Sequence, residues 1–346
     1  MTAPALDLAE LRALPEERLD AALRAFADRH GAEALPVLSQ LAAEGAERAL
    51  RRAAKRALYR LAQRGMTPPP RRAPKPVVER RPERATRAWI SGIDGSGSRA
   101  AWILFEGGFG AALLCSLIVN DTVGIVDVAG GEITKKRLEA ELAGLRASQK
   151  LPWVETEPAR AVGLVAEALA RHRVQGTSPP AAFARWQRLF EGATAPEPPA
   201  LPAADPALVE RAGELLELPE LAGWFLDPEA VQADALELLE ARASRLVVSD
   251  QIKAEREAAI LNRVIERELT PEARSRWARR LAEMSRVFDA TGRAELGAIA
   301  GAAAATLADA EADSRRQPFA QGLARRGLEI AGEVTSGRIK ASDVSR

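Results

Sequence analysis

Residues 88–128 read AWISGIDGSGSRAAWILFEGGFGAALLCSLIVNDTVGIVDV. This stretch lies between two regions of helical pattern, so whether it is helix or sheet decides the fold class. Its apolar residues do not recur at helical spacing, and four glycine/Asx breaks divide it or close it: Asp94-Gly95-Ser96-Gly97-Ser98, Gly107-Gly108, Asn120-Asp121 and Gly130-Gly131. Breaks of this type are turn signals between strands. The spacing predicts strands at 88–93, 99–105, 110–119 and 123–128. Four consecutive strands joined by short turns make an antiparallel meander. The run Leu113-Leu114-Cys115-Ser116-Leu117-Ile118-Val119 is nearly all apolar and reads as the central strand, buried on both faces. The glycine cluster at 92–97 is not a nucleotide-binding loop, because an apolar strand follows it instead of the helix whose N-terminus would hold a phosphate. It reads as a hairpin turn.

Downstream, the 3.6-residue period returns. Helices are expected at 134–147, 158–173 and 180–191, covering one face of the sheet. A proline-rich stretch, 193–206, follows, with Pro196, Pro198, Pro199, Pro202 and Pro206. Further helices are expected near 206–217, 228–246, 250–268, 271–290, 293–310 and 318–334. Upstream, helices are expected at 16–29, 32–43 and 46–63, with Gly31, Gly45 and Gly65 as stops. Residues 67–86 contain Pro68-Pro69-Pro70, Pro74, Pro76 and Pro82, which keep a chain extended. The fold class is therefore mainly α with a small antiparallel β-meander (α+β). The expected organisation is a helical module at 1–66, a Pro/Arg-rich linker at 67–86, the meander with its covering helices at 87–192, a Pro-rich linker at 193–206, and an all-helical domain at 207–346. Protease is expected to cut first in the first linker and then in the second.

The chain carries 49 Lys/Arg and 48 Asp/Glu, but the charge is unevenly spread. Residues 48–87 hold fourteen Lys/Arg against Glu79 and Glu83, and residues 191–240 hold twelve acids against Arg211 alone. In the third helix Arg48, Arg52, Arg56, Arg60 and Arg64 recur at intervals of four, and Arg51 and Lys55 widen the basic arc. Like charges four apart destabilise a helix by about 0.2–0.5 kcal/mol per pair. A face chosen for solubility would interleave acids, and none occurs between Arg48 and Gly65. The pattern points to an anionic partner: nucleic acid, an acidic protein, or the chain's own 191–240 segment. A solvated face in an arginine-rich chain is the bland alternative. Arg71 and Arg72 in the linker would extend the patch as a cationic arm. Lys135, Lys136 and Arg137 at a helix start are a second, weaker anion signal.

The N-terminal helices also resemble a HEAT-type repeat of the short phycobilisome-lyase kind. Ala34-Leu35-Pro36-Val37-Leu38, Leu41 and Arg51-Arg52-Ala53-Ala54-Lys55-Arg56-Ala57-Leu58 carry the resemblance, which covers about one repeat. In that family repeats stack into interaction surfaces, so the resemblance implies macromolecular binding.

Several chemistries lack their residues. One cysteine, Cys115, and two histidines, His30 and His172, cannot build a Cys/His zinc site in one chain. Cys115 lies in an apolar strand and reads as a small hydrophobe. Asp94, Asp121, Asp127 and Glu132 fall in turns and strand ends without the dense spacing of a cation loop. Trp153, Trp186, Trp224 and Trp277 read as helix-borne packing residues. The first ten residues lack the basic and apolar regions of a secretory leader, and the longest apolar run, 107–120, is short for a membrane span. The expectation is a cytoplasmic scaffold without cofactor, metal or membrane contact, a binder and not an enzyme. A nucleic-acid binder using the 48–87 segment, and an enzyme with its site in the meander turns, are the alternatives.

Overall fold

A computed structural model describes residues 11, 14–44, 47–66, 83–107, 112–148, 151–197, 200–243 and 250–344. The chain divides into two compact units, Met1–Glu79 and Arg80–Arg346.

In the first unit, α1 (Glu16–His30) passes through a 3-10 turn (Gly31–Ala34) into α2 (Leu35–Glu44), and α3 (Arg48–Gln63) follows. Gly31 ends α1 at φ 51°, a left-handed value that favours glycine. Pro36 sits in the first turn of α2, where its missing N–H is not needed. Leu19, Leu23 and Ala27 of α1, Leu38 and Leu41 of α2, and Leu50, Ala54, Ala57 and Leu61 of α3 form one core. Their spacing of three, four and seven residues puts each set on one helix face.

The second unit is built on a five-stranded antiparallel sheet in the order β4-β3-β2-β1-β5. The strands are β1 (Arg84–Ser91), β2 (Ser98–Glu106), β3 (Ala112–Asn120), β4 (Gly124–Glu132) and β5 (Trp153–Thr156). The four-strand meander is present, and β5 adds to its β1 edge, with Trp89 opposite Glu155. Four residues are too few for a period-2 pattern to register, which is why β5 does not show in the sequence. The central strand is β2, not β3: Ile118 of β3 is 40% exposed, so that strand is covered on both faces only in part.

Helices cover both faces, not one. On the first face Ile90, Ile103, Phe105, Cys115, Leu117 and Val154 pack on Leu164 and Val165 of α5 (Pro158–Gln175) and on Phe183, Trp186 and Phe190. On the second face Trp89, Leu104 and Leu114 pack under Leu138 and Leu142 of α4 (Lys135–Ser148). Strands with large apolar residues at both parities need cover on both sides. The helix expected at 180–191 is instead two 3-10 segments, Ala181–Arg185 and Gln187–Phe190. A three-residue turn repeats Phe183, Trp186 and Leu189 on one side, which suits laying aromatics on a sheet.

After the sheet come α6 (Pro206–Glu210), α7 (Gln232–Ala243), α8 (Asp250–Glu268), α9 (Pro271–Ala290), α10 (Ala294–Ala308) and α11 (Pro318–Thr335). The stretch expected to be helical at 206–217 is α6 followed by a 3-10 segment, Arg211–Glu217. Trp224, Trp277, Leu281, Phe288, Ile299, Phe319 and Leu323 lie in one core that also takes in Ile93 from the turn between β1 and β2. Only Trp277 of the four tryptophans sits within an α-helix: Trp153 is in β5 against Trp102, with ring centroids 5.4 Å apart, and Trp224 packs on Trp277 at 5.4 Å. Residues 193–197 and 200–206 run over this same unit. A Cβ on Gly163 would meet Pro196 at 3.0 Å, and one on Gly301 would meet Pro202 at 3.1 Å, so glycines in α5 and α10 make room for its prolines.

Candidate anion-binding surface

An α-helix advances 100° per residue, so steps of four overshoot each turn by about 40°. The series Arg48, Arg52, Arg56, Arg60, Arg64 therefore spirals, and its last member lies about 160° from its first. The core residues Leu50, Ala57 and Leu61 centre about 200° from Arg48, so the start of the series faces away from the core while its end comes within about 40° of the core direction. The structure follows this geometry. Arg56 Nε donates to Asp20 Oδ1 at 2.9 Å and Arg64 Nη1 to Asp28 Oδ1 at 2.7 Å, both acids on α1. Arg60 is half-buried between them. The five arginines are not a single open face; α1 takes the later ones.

What stays open is a narrower strip. Arg48, Arg52 and Lys55 are exposed and carry no ion pair among the described residues. Lys55 and Arg52 lie within about 40° of Arg48, on the side opposite the core. Arg51, half-buried, has a partner of its own. Arg71 and Arg72 lie outside the described residues. Asp20 and Asp28 are the residues that sequence reasoning missed. The signal was available: two acids eight apart on one helix and two arginines eight apart on another.

The acidic segment 191–240 has partners within its own unit. Arg263 donates to Asp234 at 2.8 Å and to Glu237 at 2.5 Å, Arg267 to Asp234 at 2.8 Å, and Arg293 to Glu220 at 2.6 Å. Arg211 binds Glu214 through two bonds of 3.0 Å. Burial would raise the Asp234 carboxyl, but Arg267 and Arg263 outweigh it and hold the group below the usual range.

A second charged cluster lies where the sheet meets α9. Glu283, 9% exposed, accepts from Arg99 at 2.5 Å and from Arg160 at 2.6 Å. Arg280, 5% exposed, donates to both oxygens of Asp121 at 2.6 and 2.8 Å and to the carbonyls of Gly95 and Ser96. Arg279 pairs with Glu167. Asp94 Oδ1 accepts from Ser96 N, Ser96 Oγ and Ser98 N, closing the glycine turn as a hairpin. The turn is docked: a Cβ on Gly95 would fall 1.7 Å from Gly223 O, and Trp224 Nε1 donates to Ile93 O at 3.2 Å. The cavity beside this cluster is about 40 Å³. That is room for about one or two waters and far below the ~300 Å³ of a small-molecule site. Asp121 thus joins the layers and Asp94 closes its own turn, and among the described residues no group of three or more His, Cys, Asp or Glu could hold a metal ion. His172 is likewise occupied: its Nε2 accepts from Ile125 N at 2.9 Å, which leaves Nδ1–H to donate to Thr177 Oγ1 at 2.8 Å.

A wider groove of about 620 Å³ runs between α7, α8 and α11. Of the arginines that line it, Arg242 is paired with Glu257, and Arg315 and Arg316 with Asp313; Arg325 lines it as well. No described helix is long and apolar enough to cross a membrane.

Comparison with protein-family models, with curated proteins and with solved structures returned no match.

Proposed function

We propose that the protein is a non-enzymatic macromolecular-binding scaffold whose N-terminal helical module offers a basic face to an anionic partner. The observation that carries this reading is the contrast along α3. Arg56 and Arg64 are neutralised by α1, whereas Arg48, Arg52 and Lys55 project without ion pairs among the described residues. An unrelieved cluster of cations costs helix stability, and binding of an anion offsets that cost. Glu214, Glu217, Glu220, Asp234 and Glu237 of the 191–240 segment are paired with arginines of their own unit, which supports an external partner over an internal one.

The HEAT-like reading of the module has support in its direction of travel. The pairs Asp20–Arg56 and Asp28–Arg64 both span 36 residues, so α1 and α3 run parallel and pack directly on each other. Parallel alternate helices at a fixed offset are how helical repeats stack.

Retention of the full chain on immobilised heparin tests the reading. Elution should move to lower salt when Arg48, Arg52 and Lys55 are replaced together by Gln. Gln has nearly the helix propensity of Arg and Lys, so the melting temperature should hold. A triple variant with unchanged retention would leave only a solvated arginine-rich face.

A further inference from the structure

The open strip on α3 contains one aromatic residue. Tyr59 lies about 20° from Arg48 around the helix, between Arg52 and Lys55 in azimuth. It is 66% exposed and takes no part in the core of its unit. Among the described residues it is the only large hydrophobic side chain exposed in Met1–Glu79. Helix propensity does not explain it, since Lys, Gln and Glu are all better there. Packing does not explain it either, because most of the ring is in water.

We propose that Arg48, Arg52, Lys55 and Tyr59 form a binding strip for single-stranded nucleic acid, the three cations on phosphates and the tyrosine ring stacked on a base. This inference rests on the reading of α3 as an anion-binding face and names the partner. From Arg48 to Tyr59 the strip is about 16 Å long. A cationic track with an aromatic set into it is the arrangement that holds unpaired strands, because the phosphates are met by charge and the exposed base by a flat ring. Duplex nucleic acid fits less well: its bases are already stacked on each other, which leaves no base face open to the ring. An acidic protein also fits less well. A protein interface needs an apolar centre of several residues, and Tyr59 has no exposed apolar neighbour in its unit.

The test uses the full chain and four labelled probes in fluorescence anisotropy: a 15-nucleotide oligo-dT, a mixed-sequence duplex of 15 base pairs, heparin and poly-glutamate. Oligo-dT should bind more tightly than the duplex and poly-glutamate. Its log K should fall with log salt at a slope of about −2, for three contacts at roughly −0.7 each on a single strand. Tyr59→Ala should weaken oligo-dT roughly five- to a hundredfold and leave heparin unchanged, and Tyr59→Phe should retain the affinity. If Tyr59→Ala leaves oligo-dT unchanged, or weakens heparin equally, or if duplex or poly-glutamate binds best, the single-strand assignment is wrong while the anion-binding reading stands. If the chain binds none of the four, the anion-binding reading itself is wrong. Melting curves of each variant separate a lost contact from a lost fold.

Discussion

Arg56 reaches from α3 to Asp20 on α1, its Nε 2.9 Å from the carboxylate, and so removes one cation from what would otherwise be a continuous basic face. The same acid lies 3.8 Å from Arg24 of its own helix. Asp20 thus sets where the open strip ends.

Replacing Asp20 and Asp28 together by Asn should release Arg56 and Arg64 from their ion pairs. Both pairs are substantially exposed, so their loss should cost no more than about 1 kcal/mol each. Heparin elution should shift to higher salt, because two more cations become available to the polyanion. Elution at the wild-type salt concentration would show that these arginines stay engaged elsewhere.

Glu283 should be the most sensitive acid in the second unit. Burial alone would raise its carboxyl, but the Arg99 and Arg160 charges outweigh burial and hold it below the usual carboxylate range. A carboxyl depressed on folding contributes stability above its unfolded value of about 4.3. That contribution is lost as pH falls through the lower folded value. Glu283→Gln leaves two arginines facing a neutral group and should destabilise by about 3–5 kcal/mol at pH 7. Urea unfolding across pH 3 to 7 checks both parts: the variant should be less stable at neutral pH and should lose less than wild type on acidification.

The glycine turn offers a steric test. At Gly95 a methyl group would fall 1.7 Å from Gly223 O, whereas at Gly144, inside α4, it would meet nothing within 4 Å. Gly95→Ala must push the hairpin off the helical layer, and an overpacking cost of at least about 1–3 kcal/mol is expected. Tryptophan fluorescence should change with it, since the Trp224–Ile93 hydrogen bond lies alongside. Gly144→Ala should stabilise by about 0.5–1 kcal/mol. Equal melting temperatures for the two variants would contradict the docked turn.

Cys115 is fully buried in β3, and burial pushes its thiol up to about 12. It should resist iodoacetamide at pH 8 in the native protein and react once the chain is unfolded in urea. Rapid native labelling would place it at an accessible position and reopen a role for the thiol.

Much of the architecture is legible locally. Gly31 stops α1, Pro271 and Pro318 start α9 and α11, and Asp94-Gly95-Ser96-Gly97-Ser98 turns β1 into β2. Each rests on a preference of the residue for a backbone conformation, which needs no partner from elsewhere in the chain. The strand β5 and the cover on the second sheet face were not legible in this way. Trp153–Thr156 becomes a strand only because β1 lies beside it, and Trp89, Leu104 and Leu114 show a second buried face only once strands are set side by side.

The candidate surface divides along the same line. By itself the sequence determined that α3 is an amphipathic helix with cations and no acids, because composition and the 3.6-residue period are properties of the segment. Only the tertiary structure decided which of those cations are open. The four-residue series drifts about 40° per step, and where it meets α1 the identities of residues 36 positions earlier, Asp20 and Asp28, neutralise Arg56 and Arg64. Arg48, Arg52, Lys55 and Tyr59 remain outward. Net charge can be read along a chain, but whether a charge is free depends on what the fold places within about 4 Å of it.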